Sequence, residues 1–200
     1  MKLDFSTMTP QQAYFCITQS LIPRPIAWVL TENETGSYNL APFSYFTAVS
    51  SNPPLLMISI GSKPDGSPKD TLANLQQRKK CVIHIADASQ LDDLNQSAAT
   101  LDYGVSEVEQ QQLALAEMAD FCLPRLANSK IAMAAELYRI DDIAGQSIVY
   151  CQLESIWLDD QISRIENDQL KIDASKVDPI ARLGANEYAL FGEIVQRKRP

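Results

Sequence analysis

Glycine is scarce in this 200-residue chain, with seven in all: Gly36, Gly61, Gly66, Gly104, Gly145, Gly184 and Gly192. No three of them form the G-x-G-x-x-G turn of a Rossmann dinucleotide site, so a nicotinamide would have to bind in some other way. Gly61-Ser62-Lys63-Pro64-Asp65-Gly66 opens with the spacing of a phosphate loop. Ser67-Pro68 then stand where that loop needs Lys and Ser/Thr, which excludes a Walker NTPase and leaves a turn-rich loop.

Histidine occurs once, as His84, and there is no G-x-S-x-G elbow, so a Ser-His-Asp hydrolase built on His84 survives only as a contrasting hypothesis. His84 alternates with Ile83 and Ile85 on an expected strand, as a satisfied core histidine or as a cofactor contact. Cys16, Cys81, Cys122 and Cys151 contain no C-x-x-C pair. This argues against zinc and a redox dithiol, and all four read as reduced core thiols.

Net positive charge is also missing. The formal charge is -8, and a nucleic-acid ligand needs a basic face to displace its counterions. The one basic cluster, Arg197-Lys198-Arg199, reads as a solvated tail without function. No apolar run approaches the roughly 18 residues of a membrane span, and Met1 to Ser6 holds no signal-peptide core. The expected location is the cytoplasm, with no membrane and no nucleic acid as partner.

Apolar residues are plentiful: at 46% they suffice for a core without disulfides or metals, and residues 1–200 are expected to form one domain. Thr9-Pro10-Gln11-Gln12 is a helix start with a capping box, followed by an apolar stripe of Tyr14, Ile17 and Leu21. Strands are expected over Ile26 to Leu30, Asn39 to Ser50, Leu55 to Ile60 and Cys81 to Ala86. A helix should begin after Pro68 and run through Leu72 and Gln76, and others over Ser89 to Thr100 and Ser106 to Met118. Strands resume over Ile131 to Ile140, Ser147 to Leu158 and Tyr188 to Val195, the first two joined by a turn at Asp141 to Gly145. The expectation is a mainly β fold, a barrel with helical excursions.

The most informative residues are Pro23-Arg24-Pro25-Ile26-Ala27-Trp28-Val29, then Asn39-Leu40-Ala41-Pro42-Phe43-Ser44-Tyr45-Phe46 on to Ser50-Ser51-Asn52-Pro53-Pro54. Lys69-Asp70-Thr71 and Asp178-Pro179-Ile180-Ala181-Arg182-Leu183-Gly184 with Tyr188 complete the pattern. In this order the chain resembles the flavin reductase-like family of FMN-binding split barrels, which includes flavoredoxin. The resemblance implies an FMN cofactor near the boundary of a homodimer, NADH or NADPH as electron donor, and a small-molecule or protein electron acceptor. Two departures stand out: His84 replaces an Asn common in similar sequences, and Ala185 replaces a second Gly.

On that resemblance the cofactor-binding residues are Arg24, Trp28, Asn39, Leu40, Ala41, Pro42, Phe43, Ser44, Ser50, Ser51, Lys69, Asp70, Thr71 and Arg182. Chemistry supports several of them. FMN presents a flat ring whose edge needs hydrogen bonds and a phosphate that needs donors and positive charge. Lys69 and Thr71 precede or open a helix whose free N–H groups favour an anion, and Asp70 also reads as a helix cap. Asn39 to Ser44 pairs small and aromatic residues with a proline that interrupts regular pairing. Ser50 and Ser51 are donors to the ribityl chain or simple turn formers, and Trp28 flanks the flavin or fills the core. Arg24 suits the phosphate or a carboxylate across the subunit boundary. Arg182 and Tyr188 close the pocket or sit at its edge. No acid, base or nucleophile is required, because the flavin carries the chemistry. An FMN-binding electron carrier without its own NAD(P)H turnover is the alternative.

Overall fold

The computed structural model describes residues 1–198; Arg199 of the expected basic tail lies outside the described residues. Helix α1 (Pro10–Ser20) starts as its sequence predicts, with Thr9 accepting from the Gln12 N–H and the Gln12 side chain reaching back to the Thr9 N–H. Strands β1 (Arg24–Pro25), β2 (Ala27–Glu32), β3 (Tyr38–Phe43), β4 (Phe46–Ser51) and β5 (Pro54–Gly61) follow, then α2 (Asp70–Arg78) and β6 (Lys80–His84). The middle of the chain holds short α3 (Leu91–Gln96) and α4 (Glu107–Gln110) and the two-residue strands β7 (Leu115–Ala116) and β8 (Arg125–Leu126). The chain then forms β9 (Ile131–Ile143) and β10 (Gln146–Leu158), the hairpin β11 (Ser163–Glu166) and β12 (Gln169–Ile172), α5 (Ala174–Val177), β13 (Ala181–Arg182) and β14 (Tyr188–Ala189).

Seven strands make one antiparallel sheet in the order β3-β2-β6-β9-β10-β5-β4. Its alternation explains why the strands look continuously apolar: both faces are buried. Ala27 and Val29 point to one core with Ile58, Cys81, Ile83 and Val149, while Trp28 and Leu30 point to a second with Leu40, Val82 and Ala134. The second core is roofed by the segment that carries Leu94, Val108, Met118 and Leu126. A small sheet, β1-β13-β14, ties the C-terminal segment to the start of the barrel.

Several expectations need correction. The Asn39 to Ser50 region is two strands, because the chain leaves the sheet at Ser44 and Tyr45 and rejoins it on the opposite edge. Ser106 caps α4 by accepting from the Glu109 N–H, yet the helix stops after one turn, with Gln112 at φ 53° in the left-handed region. No helix reaches Met118. Strand β14 covers only Tyr188–Ala189 of the expected Tyr188 to Val195, since its partner β13 is itself two residues long. The β9–β10 turn is tighter than expected: both strands run to a two-residue loop, Ala144 (φ 50°) and Gly145 (φ 79°), the backbone of a type I′ turn.

Cys81 and Cys151 are buried, but Cys16 is only half-buried and Cys122 is exposed, so two of the four thiols lie outside the core. Tyr14, Ile17 and Leu21 form no core stripe either; all three are exposed. Ile17 and Leu21 border instead a groove with Phe46, Met57 and Ile148. No helix of the described residues is long and apolar enough to cross a membrane.

Candidate flavin site

The free edge of β3 is where the site is built. Thr31 pairs with Asn39 and Leu30 with Leu40 across β2 and β3. The Leu40 N–H points away from β2 and donates to Glu107 Oε2 at 2.9 Å, and the Ser106 hydroxyl donates to the Tyr38 carbonyl at 2.6 Å. Alternation puts the nitrogen of Pro42 on the same outward side, where its missing N–H costs no ladder bond. A proline is therefore tolerated in an otherwise regular strand.

Helix α2 crosses the end of this strand and is fixed by a buried polar network. Asn39 Nδ2 donates to Thr71 Oγ1 (2.9 Å) and to Thr31 Oγ1 (3.1 Å), and Asn74 Nδ2 reaches Thr31 Oγ1 and Asn33 Oδ1. The N-cap residue Lys69 provides no side-chain cap, so the first-turn N–H groups of α2 face the cavity without an acceptor of that kind. Thr71 is 1% exposed, and because its oxygen accepts from Asn39, its own proton remains available to an acceptor in the cavity.

That cavity is lined by Asn39, Ala41, Pro42, Lys63, Lys69, Asp70, Thr71 and Glu107, with residues 97–101 as the far wall. Lys69 is exposed as a residue, with its ammonium 5.6 Å from the Phe43 ring centroid, and partial desolvation lowers its pKa from the ordinary lysine value. Asp70 accepts from the Gly104 N–H at 3.1 Å and pairs with Lys63 at 2.5 Å. Burial raises the Glu107 carboxyl above the usual glutamate value, and the Leu40 N–H opposes that shift. Lys63 and Glu107 were not expected from sequence: one sits in a loop readable only as turn, the other just inside a four-residue helix.

Of the expected residues, Asn39, Ala41, Pro42, Lys69, Asp70 and Thr71 come together here. Ser44 and Arg182 line an adjoining cavity that shares Pro42 and Ala98 with this one. Leu40 and Phe43 turn their side chains into the two cores, leaving Leu40 its backbone and Phe43 its ring face under Lys69 as contributions. Trp28 is a core residue: it is 1% exposed, and its indole N–H donates to the Ser97 hydroxyl at 2.8 Å. Arg24 is likewise committed internally, to the carbonyls of Thr18 (2.6 Å), Leu21 (2.6 Å) and Leu183 (2.7 Å), so it does not reach a phosphate. Ser50 and Ser51 lie exposed on the edge strand β4, outside both cavities, and Ser50 accepts from the Asn52 N–H as a turn former would.

His84 is fully buried between Trp28 and Leu126. Its Nδ1 is 3.1 Å from the Trp28 carbonyl, and Nε2 accepts from the Leu126 N–H at 3.1 Å, which fixes the neutral Nδ1–H tautomer. Burial pulls its pKa down to about 4. With both nitrogens occupied it cannot serve as a general base, which removes the hydrolase hypothesis. Ala185, the other departure, adopts φ 48°, a backbone that glycine takes more easily.

Residues 19–169 match the family described as Flavin reductase like domain. An uncharacterized protein of Halalkalibacterium halodurans is 32% identical over 208 residues, covering 100% of this chain and 97% of its own. The crystal structure of nitrilotriacetate monooxygenase component B from Bacillus cereus superimposes with a TM-score of 0.89 at 29% identity, covering 98% of each chain. A split-barrel domain structure from Shewanella frigidimarina, at 21% identity, superimposes with a TM-score of 0.85 over 100% of both chains and speaks to the fold alone. A family match over most of the chain, joined to a seven-stranded barrel with an uncapped helix and two lysines at its edge, makes this protein a member of the flavin reductase-like family with the split-barrel fold.

Proposed function

We propose that the cavity between β3 and α2 holds the phosphate of FMN, and that the protein is an oxidoreductase taking a hydride from NADH or NADPH onto the flavin and passing electrons to a small-molecule or protein acceptor. One observation carries the reading: the buried Thr71 hydroxyl, the uncapped start of α2 and the ammonium groups of Lys63 and Lys69 converge on one cavity. That donor set fits a phosphate dianion. Thr71 and the first-turn N–H groups would bind it, Lys69 would neutralise it, and Ala41 and Pro42 on the β3 edge would flank the rest of the molecule. Bound FMN would supply the hydride- and electron-accepting ring. The chain's own part is to bind, to orient and to exclude water. The likeness to component B of nitrilotriacetate monooxygenase from Bacillus cereus supports a chain that works alongside another component.

The exposed groove beside α1 supports a homodimer, since it leaves Ile17 and Leu21 open to solvent next to Phe46 and Met57. The cytoplasm remains the proposed location. The test of the whole reading is an absorbance spectrum of purified protein. Oxidised-flavin bands should persist through desalting and bleach on addition of NADH or NADPH. A colourless protein that takes up no added FMN overturns the proposal. A yellow protein that neither nicotinamide bleaches is an electron carrier reduced by a protein partner.

A further inference from the structure

Two apolar surfaces have no partner among the described residues. The first is the groove beside α1, about 510 Å³ in volume, with Ile17 and Leu21 on one wall and Phe46, Met57 and Ile148 opposite. A cavity of about 150 Å³ admits benzene, so this one has room for several apolar side chains. The second is the segment that follows β14. Leu190, Ile194 and Val195 are each more than half exposed, and no backbone hydrogen bond ties residues 190–198 to another element among the described residues.

The composition of that segment does not suit a solvated tail. Leu190-Phe191-Gly192-Glu193-Ile194-Val195 holds four apolar residues in six, where chains that stay in water are poor in them. Laid out as an extended strand, it puts Leu190 and Ile194 on one side with Gly192 between them, and its six residues span about 20 Å at about 3.3 Å each. The segment also starts near a groove: Ala189 pairs with Ala181, and Ala181 with Pro25, which lines the groove. Yet it leaves the groove of its own copy open.

Charge gives the direction. Arg197 and Lys198 follow the apolar run in a chain of net charge -8. At the far end of the groove Ile148 pairs with Ser59 on one side and with Asp141 on the other, and Asp142 is next along β9. Cross-strand partners share a face, so Asp141 lies beside the groove floor. Asp141 pairs with Arg139 at 2.8 Å and Asp142 accepts from the Ser147 hydroxyl at 2.8 Å, and each carboxylate has lone pairs left for a further donor. An apolar run followed by cations thus matches an apolar groove followed by carboxylates.

We infer that residues 190–198 of one copy lie in the groove beside α1 of a second copy, with Leu190 and Ile194 filling the groove and Arg197 and Lys198 meeting Asp141 and Asp142 at its end. The exchange is reciprocal: each copy gives one arm and receives one, so the contact closes on itself as a two-fold dimer does. This rests on the homodimer proposed above and names what holds it together.

The test uses the whole chain with photoreactive benzoylphenylalanine in place of Ile194, an exposed position outside both cores. After irradiation a denaturing gel should show a covalent species of twice 22.2 kDa, and peptide mapping should place the new bond at Met57, at Phe46 or within residues 17–21. A cross-link to the same groove at the mass of a single chain shows that the segment folds back on its own copy. A cross-link elsewhere, or none, leaves the groove without this occupant. Each of these results overturns the inference. Independently, Ile194→Glu should raise the dimer dissociation constant about tenfold or more in sedimentation equilibrium. An unchanged constant overturns the arm and leaves the homodimer standing, whereas a wild-type chain that sediments as a monomer sinks both.

Discussion

Arg24 and Arg182 face each other across the β1/β13 pair, yet one is sealed inside the fold and the other opens onto a cavity. Arg24 is 5% exposed and links the C-terminal end of α1 to Leu183, so one side chain joins the first helix to the last sheet. Arg24→Ala would strand three carbonyls at that junction. Hydrogen bonds to a charged group contribute roughly 1.5–3 kcal/mol each and are not additive, so a loss of about 3 kcal/mol or more is expected in urea unfolding. A loss below about 1 kcal/mol would mean that water replaces the guanidinium without cost.

Lys69→Ala and Thr71→Ala should each raise the FMN dissociation constant about ten- to a hundredfold, at roughly 1.5–3 kcal/mol per charge-assisted bond. Riboflavin lacks the phosphate, so its affinity should hardly move. Fluorescence titration of both flavins gives the ratio. If that ratio is unchanged in both variants, the phosphate lies elsewhere.

Glu107 brings negative charge to the same cavity as Lys63 and Lys69. Glu107→Gln keeps an acceptor for the Leu40 N–H and removes the charge, so FMN should bind about two- to fivefold more tightly, with riboflavin unaffected. Weaker FMN binding would show that Glu107 accepts from the flavin rather than opposing its phosphate.

The groove beside α1 should be covered in solution. Light scattering is expected to give twice the 22.2 kDa of the chain, and Ile17→Glu with Leu21→Glu should shift it to the monomer. A wild-type monomer that still binds FMN would contradict the homodimer.

His84 makes stability depend on pH in one direction. Its pKa in the fold, about 4, lies below the unfolded value near 6.5, so the unfolded chain binds more protons between the two. The contribution is complete above about pH 6.5 and is lost as pH falls toward 4. A difference of about 2.5 pKa units corresponds to about 3 kcal/mol at most. The stability advantage of the wild type over His84→Gln should therefore shrink across this window. An advantage that stays constant from pH 7 to pH 4 would show that the imidazole does not resist protonation.

The strands that build the barrel were legible because burial on both faces leaves a plain signature: Ala27 and Val29 serve one core, Trp28 and Leu30 the other. The start of α2 was legible too, since Lys69-Asp70-Thr71 combines a local break with cation and hydroxyl. Lys63 and Glu107 were not, because they meet only through the tertiary path that brings the loop after β5 and the start of α4 to one cavity. The same applies to Trp28 and Arg24. Their types suit a flavin or an anion equally well, and only their packing shows that an indole N–H goes to Ser97 and a guanidinium to three carbonyls. The Ser106 cap was read correctly as a start, but nothing local announces that the chain reverses at Gln112.

Strand β3 ends the sheet on one side, and an unpaired strand edge is a template onto which another chain can add. Ser106, Glu107 and Pro42 together close it: the Tyr38 carbonyl and the Leu40 N–H are taken, and Pro42 has no N–H to offer. The carboxylate that sits beside the proposed phosphate position is thus also a guard against self-association of the barrel. Replacing Glu107 by an apolar residue would leave the edge partly open, and the resulting protein should tend to aggregate through strand addition even where its flavin affinity has improved.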